Sequence, residues 1–285
     1  MRWAVTGGAE IGGARTSTRD RWSVRQARPS LTARGVALAR SELSRPHTAD
    51  GDPDAEQRLY AALRPSILWP RTARRRQRMG ARTRFFDDEV LTAVTSGVAQ
   101  VVIVGAGYDG RALRFRGPGV RFFEVDHPAT QGDKRRRVED LGVPLDDVTF
   151  VSIDLMEERL GDVLARAGHD PDQRSLFLCE GLLLYLSTPV VESLLGDLRA
   201  RAAPASRLAV SIREERSGGS ALAKARGWGR RLFLRVIGEP RRSSFGIGEF
   251  GLLLERMGWT IVREVARDGH PGERRRRLLL AAEAQ

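Results

Sequence analysis

The sequence predicts an α/β protein: a doubly wound, mostly parallel sheet preceded by a helical cap. Three observations carry that reading. From residue 100 onward, strand-like and helix-like segments alternate, the order that generates a parallel sheet with helices on both faces. Val101 to Val104 and Leu176 to Leu178 are unbroken apolar runs, as strands buried on both sides require. Between Gln100 and Asp126 an apolar strand enters Gly105-Ala106-Gly107-Tyr108-Asp109-Gly110, passes a short Arg-rich helix, and meets a second strand closing on Glu124-Val125-Asp126.

The elements follow in chain order. Residues 1–29 have no periodicity and read as a disordered basic extension or an over-extended start. Residues 30–98 form the cap. Leu31, Val36, Leu38, Ala39 and Leu43 recur at helical spacing, and Pro46 to Pro53 is a loop. Asp54-Ala55-Glu56-Gln57 resembles a capping box and starts a short helix that ends before Pro65. A basic helix over Arg71 to Gly80 and a further helix over Phe85 to Thr95, stopped by Gly97, complete the cap. The core, 99–285, places strands at 100–104, 120–125, 148–153, 175–180 and 206–212. Helices fill the gaps near 110–115, 128–141, 157–167 and 189–202. An insertion over 214–245, with a Ser217-Gly218-Gly219-Ser220 hinge, precedes a helix at 247–257 and strands near 259–266 and 275–282. The insertion and the cap helices are expected to form a lid over the ligand site.

Bulk composition narrows the function. A chain of 285 residues with 41% hydrophobic and 29% charged residues is ordinary for a soluble globular protein. No apolar run nears the roughly 20 residues of a membrane span, and no signal-like apolar segment opens the chain, so a cytoplasmic location is expected. The single Cys179 forbids an internal disulfide, and four scattered histidines give no zinc pattern, so no metal is expected. The net charge of +12 is unevenly spread: residues 1–84 hold 18 arginines against 7 acids, and the rest hold 30 Lys and Arg against 29 acids. Lysine occurs only at Lys134 and Lys224, which reads as genomic bias towards arginine. The alternative is a basic arm that binds nucleic acid on a non-catalytic nucleotide-binding module. No aromatic-studded basic strand supports it.

The glycine turn implies a ligand that the backbone must approach closely, with the following helix N-terminus facing it. Asp126, 21 residues beyond Gly105, stands where a carboxylate can accept both ribose hydroxyls. The spacing satisfies G-x-G-x-x-G, so NAD is a candidate. Three features favour S-adenosylmethionine. Asp154-Leu155 ends the third strand, where a carboxylate can take the adenine amino group while Leu155 packs on the ring. Glu180 ends the fourth, near where an ammonium group would lie. No tyrosine is followed four residues on by lysine, so the reductase machinery is missing.

Arg82-Thr83-Arg84-Phe85-Phe86-Asp87-Asp88, Gln100 to Arg114, Phe123 to Gln131 with Lys134, Asp154-Leu155, and Glu180-Gly181-Leu182 with Tyr185-Leu186 resemble the leucine carboxyl methyltransferase family. They are closest to its bacterial branch of S-adenosylmethionine-dependent O-methyltransferases. The resemblance implies a class I methyltransferase-like sheet with an antiparallel last strand. It also implies methyl transfer to a carboxylate or hydroxyl of a small, polyketide-like or other secondary metabolite. By position, Arg82 resembles the arginine that pairs with the cofactor's carboxylate, and Gly105 and Gly107 the turn under its methionine part. Asp126 resembles the ribose ligand, Asp154 and Leu155 the adenine contacts, and Glu180 the residue near the ammonium. The family usually has Thr where this chain has Gly110 and often Pro where it has Leu184.

Each role has a plainer reading. Asp126 or His127 can cap the helix before Pro128, and Asp154 the one near Glu157. Arg84 competes with Arg82. Glu180 can be the buried partner of Arg111. His127 and Tyr185 are weak candidates for base and acceptor contact, with core packing the default for Tyr185. Cys179 is expected to be buried and inert.

Overall fold

The computed structural model describes residues 29–63, 73–213, 242–267 and 277–285. Three helices come first: α1 (Leu31–Ser41), α2 (Ala55–Ala62) and α3 (Ala73–Thr95). The core runs β1 (Gln100–Val104), α4 (Arg111–Arg114), β2 (Arg121–Asp126), α5 (Pro128–Asp140), β3 (Val148–Ser152), α6 (Leu160–Arg166) and β4 (Ser175–Cys179). It continues through a 3₁₀ turn (Leu183–Tyr185), α7 (Thr188–Ala200), β5 (Arg207–Arg213), α8 (Ile247–Arg256), β6 (Trp259–Arg267) and β7 (Arg277–Ala284).

The seven strands form one sheet in the order β3-β2-β1-β4-β5-β7-β6. Pairings from β3 through β5 are parallel. β7 runs antiparallel to both β5 and β6. Alternation along β1 divides its side chains between two cores. Val102 and Val104 face Leu160, Leu164, Leu195, Leu198 and Leu254 from α6, α7 and α8. Val101 and Ile103 face Phe85, Phe86, Val90 and Ala93 of α3. A third cluster packs Ala37 of α1 and Leu59 of α2 on Tyr108, Leu113 and Val138, seating the first two helices over the glycine turn.

The chain leaves β1 towards β2 and β3, then crosses back to place β4 on the other side of β1. Ligands of open α/β sheets bind at such a reversal, beyond the carboxyl ends of the strands. Here that point lies between Gly105 and Glu180.

Three expectations need correction. The basic helix and the Phe85 helix are one continuous helix, α3. It runs through Gly80, where the Leu43 and Arg84 side chains lie 3.5 Å from the place a Cβ would take. Asp54 makes no side-chain cap on α2. Asp52 Oδ1 instead accepts from the Asp54 N–H at 2.9 Å, in the place Gln57 would take in a capping box, and Glu56 turns towards Arg45 and Gly110. The helix expected from 157 begins at Leu160, because Asp154 Oδ1 accepts from the Met156 N–H and closes a turn first. Residues 1–28 and 214–241, which include the extension and the hinge, lie outside the described residues. No helix among the described residues is long and apolar enough to cross a membrane.

Candidate cofactor site

The turn after β1 depends on left-handed backbone, with Gly105 at φ +70° and Gly107 at φ +53°. Only glycine adopts those angles without cost. A Cβ on Gly105 would come within 3.1 Å of Leu182, and one on Gly107 within 3.0 Å of the Ala33 Cβ. The turn is therefore sandwiched between the segment after β4 and helix α1. Gly110 has an ordinary φ of −96°, a conformation open to a threonine as well. Its N–H donates to Glu56 Oε1 at 3.1 Å, and a Cβ there would stand 3.0 Å from Glu56 Cδ.

Asp126, at the tip of β2, accepts from the Gly107 N–H at 2.5 Å through Oδ2 and from the His127 N–H at 2.6 Å through Oδ1. Burial raises its pKa, and the two N–H groups work against that rise. Its carboxylate is thus locked to the glycine turn. His127 caps α5 as its Nδ1 accepts from the Ala129 N–H at 3.3 Å. Its Nε2 lies 4.0 Å from Asp154 Oδ2, so the chain beyond β2 and beyond β3 comes together here. Leu155 packs at the edge of the core beside them.

Glu180 is held by three arginines. Oε1 accepts from Arg82 Nε at 2.7 Å, and Oε2 from Arg40 Nη2 at 2.6 Å and Arg111 Nη1 at 2.7 Å. Burial would raise its pKa, but Arg40, Arg111 and Arg82 outweigh it and hold it well below the usual carboxylate range. Arg84 is exposed, whereas Arg82 lies inward. Beside Glu180, Gly181 has φ +73°, and a Cβ there would sit 3.4 Å from Arg82 Nη1.

Beneath the turn this pairing extends into a buried lattice. Arg111 Nε reaches Asp87 at 2.8 Å and its Nη1 reaches Asp109 at 2.6 Å. Arg40 meets Asp109 at 3.1 Å, and Arg45 meets Asp87 at 2.6 Å as well as Glu56. Arg114 meets Asp87 at 3.1 Å. Arginine pairing keeps Asp87 and Asp109 low despite burial. Lys134 donates to the Asp109 carbonyl at 2.6 Å and pairs with Glu124 at 2.5 Å. Burial still pushes Glu124 up to about 7, a rise that Lys134 only partly offsets. The lattice fixes the turn's geometry from below.

Arg40, Arg45, Glu56, Asp87 and Asp109 were not singled out from the sequence. The available signal was a charged residue on the buried face of a helix, as at Arg40 and at Asp87 after two phenylalanines. Tyr185 lies farther out, its hydroxyl 3.5 Å from Thr32 Oγ1. Cys179 is fully buried and its thiol is pushed up to about 12.

The glycine cradle, the two acidic strand tips and the strand order fit a nucleoside with an amino-acid tail. The strand order, with its antiparallel β7, is that of the class I methyltransferase fold. Residues 31–199 match the model of the leucine carboxyl methyltransferase family, and the chain belongs to that family. A Frankia alni protein provisionally named an S-adenosyl-L-methionine-dependent methyltransferase is 40% identical over 194 residues, covering 64% of this chain and 68% of the relative. A Streptomyces avermitilis protein with the same provisional name is 38% identical over 198 residues, with the same coverage. Among solved structures, the magnesium protoporphyrin IX methyltransferase of Synechocystis PCC 6803 with bound SAH shares the fold. It has a TM-score of 0.51 at 16% identity, over 79% of this chain and 94% of that one.

Proposed function

We propose that the protein transfers a methyl group to an oxygen, carboxylate or hydroxyl, of a small secondary metabolite, with a carboxylate favoured. The methyl on sulfur that S-adenosylmethionine supplies is already electrophilic. The chain's task is to align the acceptor and exclude water, and orientation of that kind is worth about 7–11 kcal/mol of barrier.

In this reading Asp126 accepts from the ribose and Asp154 with Leu155 takes the adenine. Gly105 and Gly107 let the methionine tail lie on the turn. Glu180 orients Arg82, whose remaining guanidinium edge meets the tail's carboxylate. One observation supports the choice of acceptor: Glu180, His127 and Cys179 are poor bases. Glu180 is held ionised by three arginines, His127 Nδ1 is occupied by the α5 cap, and Cys179 is buried. A carboxylic acid needs no base, being ionised above a pKa of about 4. A phenol or alcohol would need one.

The test uses methyl-labelled cofactor with fractionated metabolite extract, followed by mild alkali. Label released as methanol is the expected result, since esters hydrolyse and ethers do not. Label that stays bound through alkali contradicts the carboxylate reading, and label on nitrogen or carbon contradicts oxygen transfer altogether.

A further inference from the structure

His127 combines an anchored ring with an outward-facing edge. The N–H of Ala129 points at Nδ1, so Nδ1 is the acceptor nitrogen and a neutral ring carries its proton on Nε2. Nε2 then faces Asp154 Oδ2 across 4.0 Å. Asp154 Oδ1 is engaged by the Met156 N–H at 2.9 Å, which turns Oδ2 to the cleft. The His127 backbone N–H is held by Asp126, so the ring is fixed from both ends. Both side chains keep a wet edge, 35% exposed for His127 and 20% for Asp154.

A separation of 4.0 Å exceeds a direct hydrogen bond. It is the spacing of a donor and an acceptor that grip neighbouring atoms of one ligand edge. Adenine offers the complementary pair, an amino donor beside a ring-nitrogen acceptor. A 6-oxo purine reverses the amino donor into an acceptor, which would face the Asp154 carboxylate.

We propose that His127 is a cofactor-binding residue that reads the purine: its Nε2–H donates to adenine N1, which carries a hydrogen in a 6-oxo purine, while Asp154 Oδ2 accepts from the adjacent amino group. This rests on adenosine lying at the tips of β2 and β3, and it replaces a base role for His127 with a recognition role.

Two substitutions separate the ring's two nitrogens. His127→Asn keeps a short acceptor for the Ala129 N–H and removes the distal donor. His127→Gln extends an amide N–H to the Nε2 position and weakens the cap. Wild type and both variants are titrated calorimetrically with S-adenosylhomocysteine and S-inosylhomocysteine, and thermal unfolding of each is recorded. Wild type is expected to prefer the adenosyl ligand by at least about tenfold. His127→Asn should lose about tenfold in adenosyl affinity and only part of that preference, since Asp154 still faces the 6-position, with its unfolding temperature held. His127→Gln should keep the preference even if its unfolding temperature drops. Wild-type affinity and preference in His127→Asn, or an equal loss for both ligands, would overturn the proposal. A wild-type protein that binds neither ligand would overturn the adenosine placement, and the proposal with it.

Discussion

Arg111 is the keystone of the buried charge lattice, and Arg111→Met measures its worth. The side chain is fully buried and bonds Asp87, Asp109 and Glu180 at 2.6–2.8 Å, with a further bond to the Thr83 carbonyl at 3.3 Å. Methionine fills much of the volume and supplies none of those bonds. Every carboxylate retains at least one arginine: Asp109 keeps Arg40, Asp87 keeps Arg45 and Arg114, and Glu180 keeps Arg40 and Arg82. The loss should therefore match a broken buried pair rather than three isolated charges, about 3–5 kcal/mol. In urea that lowers the unfolding midpoint by about 1–2 M with the slope unchanged. The pH response gives a second check. Asp87, Asp109 and Glu180 all have depressed pKa values, so their stabilisation is complete above the ordinary carboxylate pKa near 4 and fades as pH falls below it. Wild type should lose stability on acidification, and the gap to Arg111→Met should narrow. A destabilisation under about 1 kcal/mol at neutral pH, or a gap that widens in acid, would refute the reasoning.

Other perturbations test separate parts of the structure. Gly107→Ala forces a side chain into left-handed backbone 3.0 Å from the Ala33 Cβ, and should weaken S-adenosylhomocysteine binding by at least about tenfold in a fluorescence titration. Cys179 should resist a thiol-reactive chromogen in the native protein and react promptly once denatured, because it is buried and its thiol is pushed up to about 12. Lys134→Met leaves the buried Glu124 without its cation and the Asp109 carbonyl without its donor, so chemical denaturation should report a loss of about 2–4 kcal/mol.

The sheet was legible because its determinants are local. Unbroken apolar runs at Val101 to Val104 and Leu176 to Leu178 mark strands buried on both faces, and both are central strands. Gly105, Gly107 and Asp126 could be picked out because a turn and the next strand tip lie within one βαβ unit. The charge lattice was not legible. Arg40 meets Glu180 across 140 positions and Arg45 meets Asp87 across 42, so nothing local marks them as partners. Local punctuation also misled at two points. The basic helix is expected to end at Gly80, yet α3 runs on through it to Thr95. Asp54 reads as a cap, yet Asp52 accepts the available N–H and Glu56 is drawn to the buried arginine. At Asp54 the buried Glu56 ion pair and the Asp52 contact outweigh a capping preference of about 1 kcal/mol.

Asp126 ties the glycine turn to the place where a ribose would lie. The most direct measurement is calorimetric titration of wild type and Asp126→Ala with S-adenosylhomocysteine, alongside NAD. The account predicts micromolar-range binding of the former by wild type, a loss of at least about a hundredfold in the variant, and no binding of NAD. Unchanged affinity in Asp126→Ala, or uptake of NAD in place of the sulfur nucleoside, would contradict it.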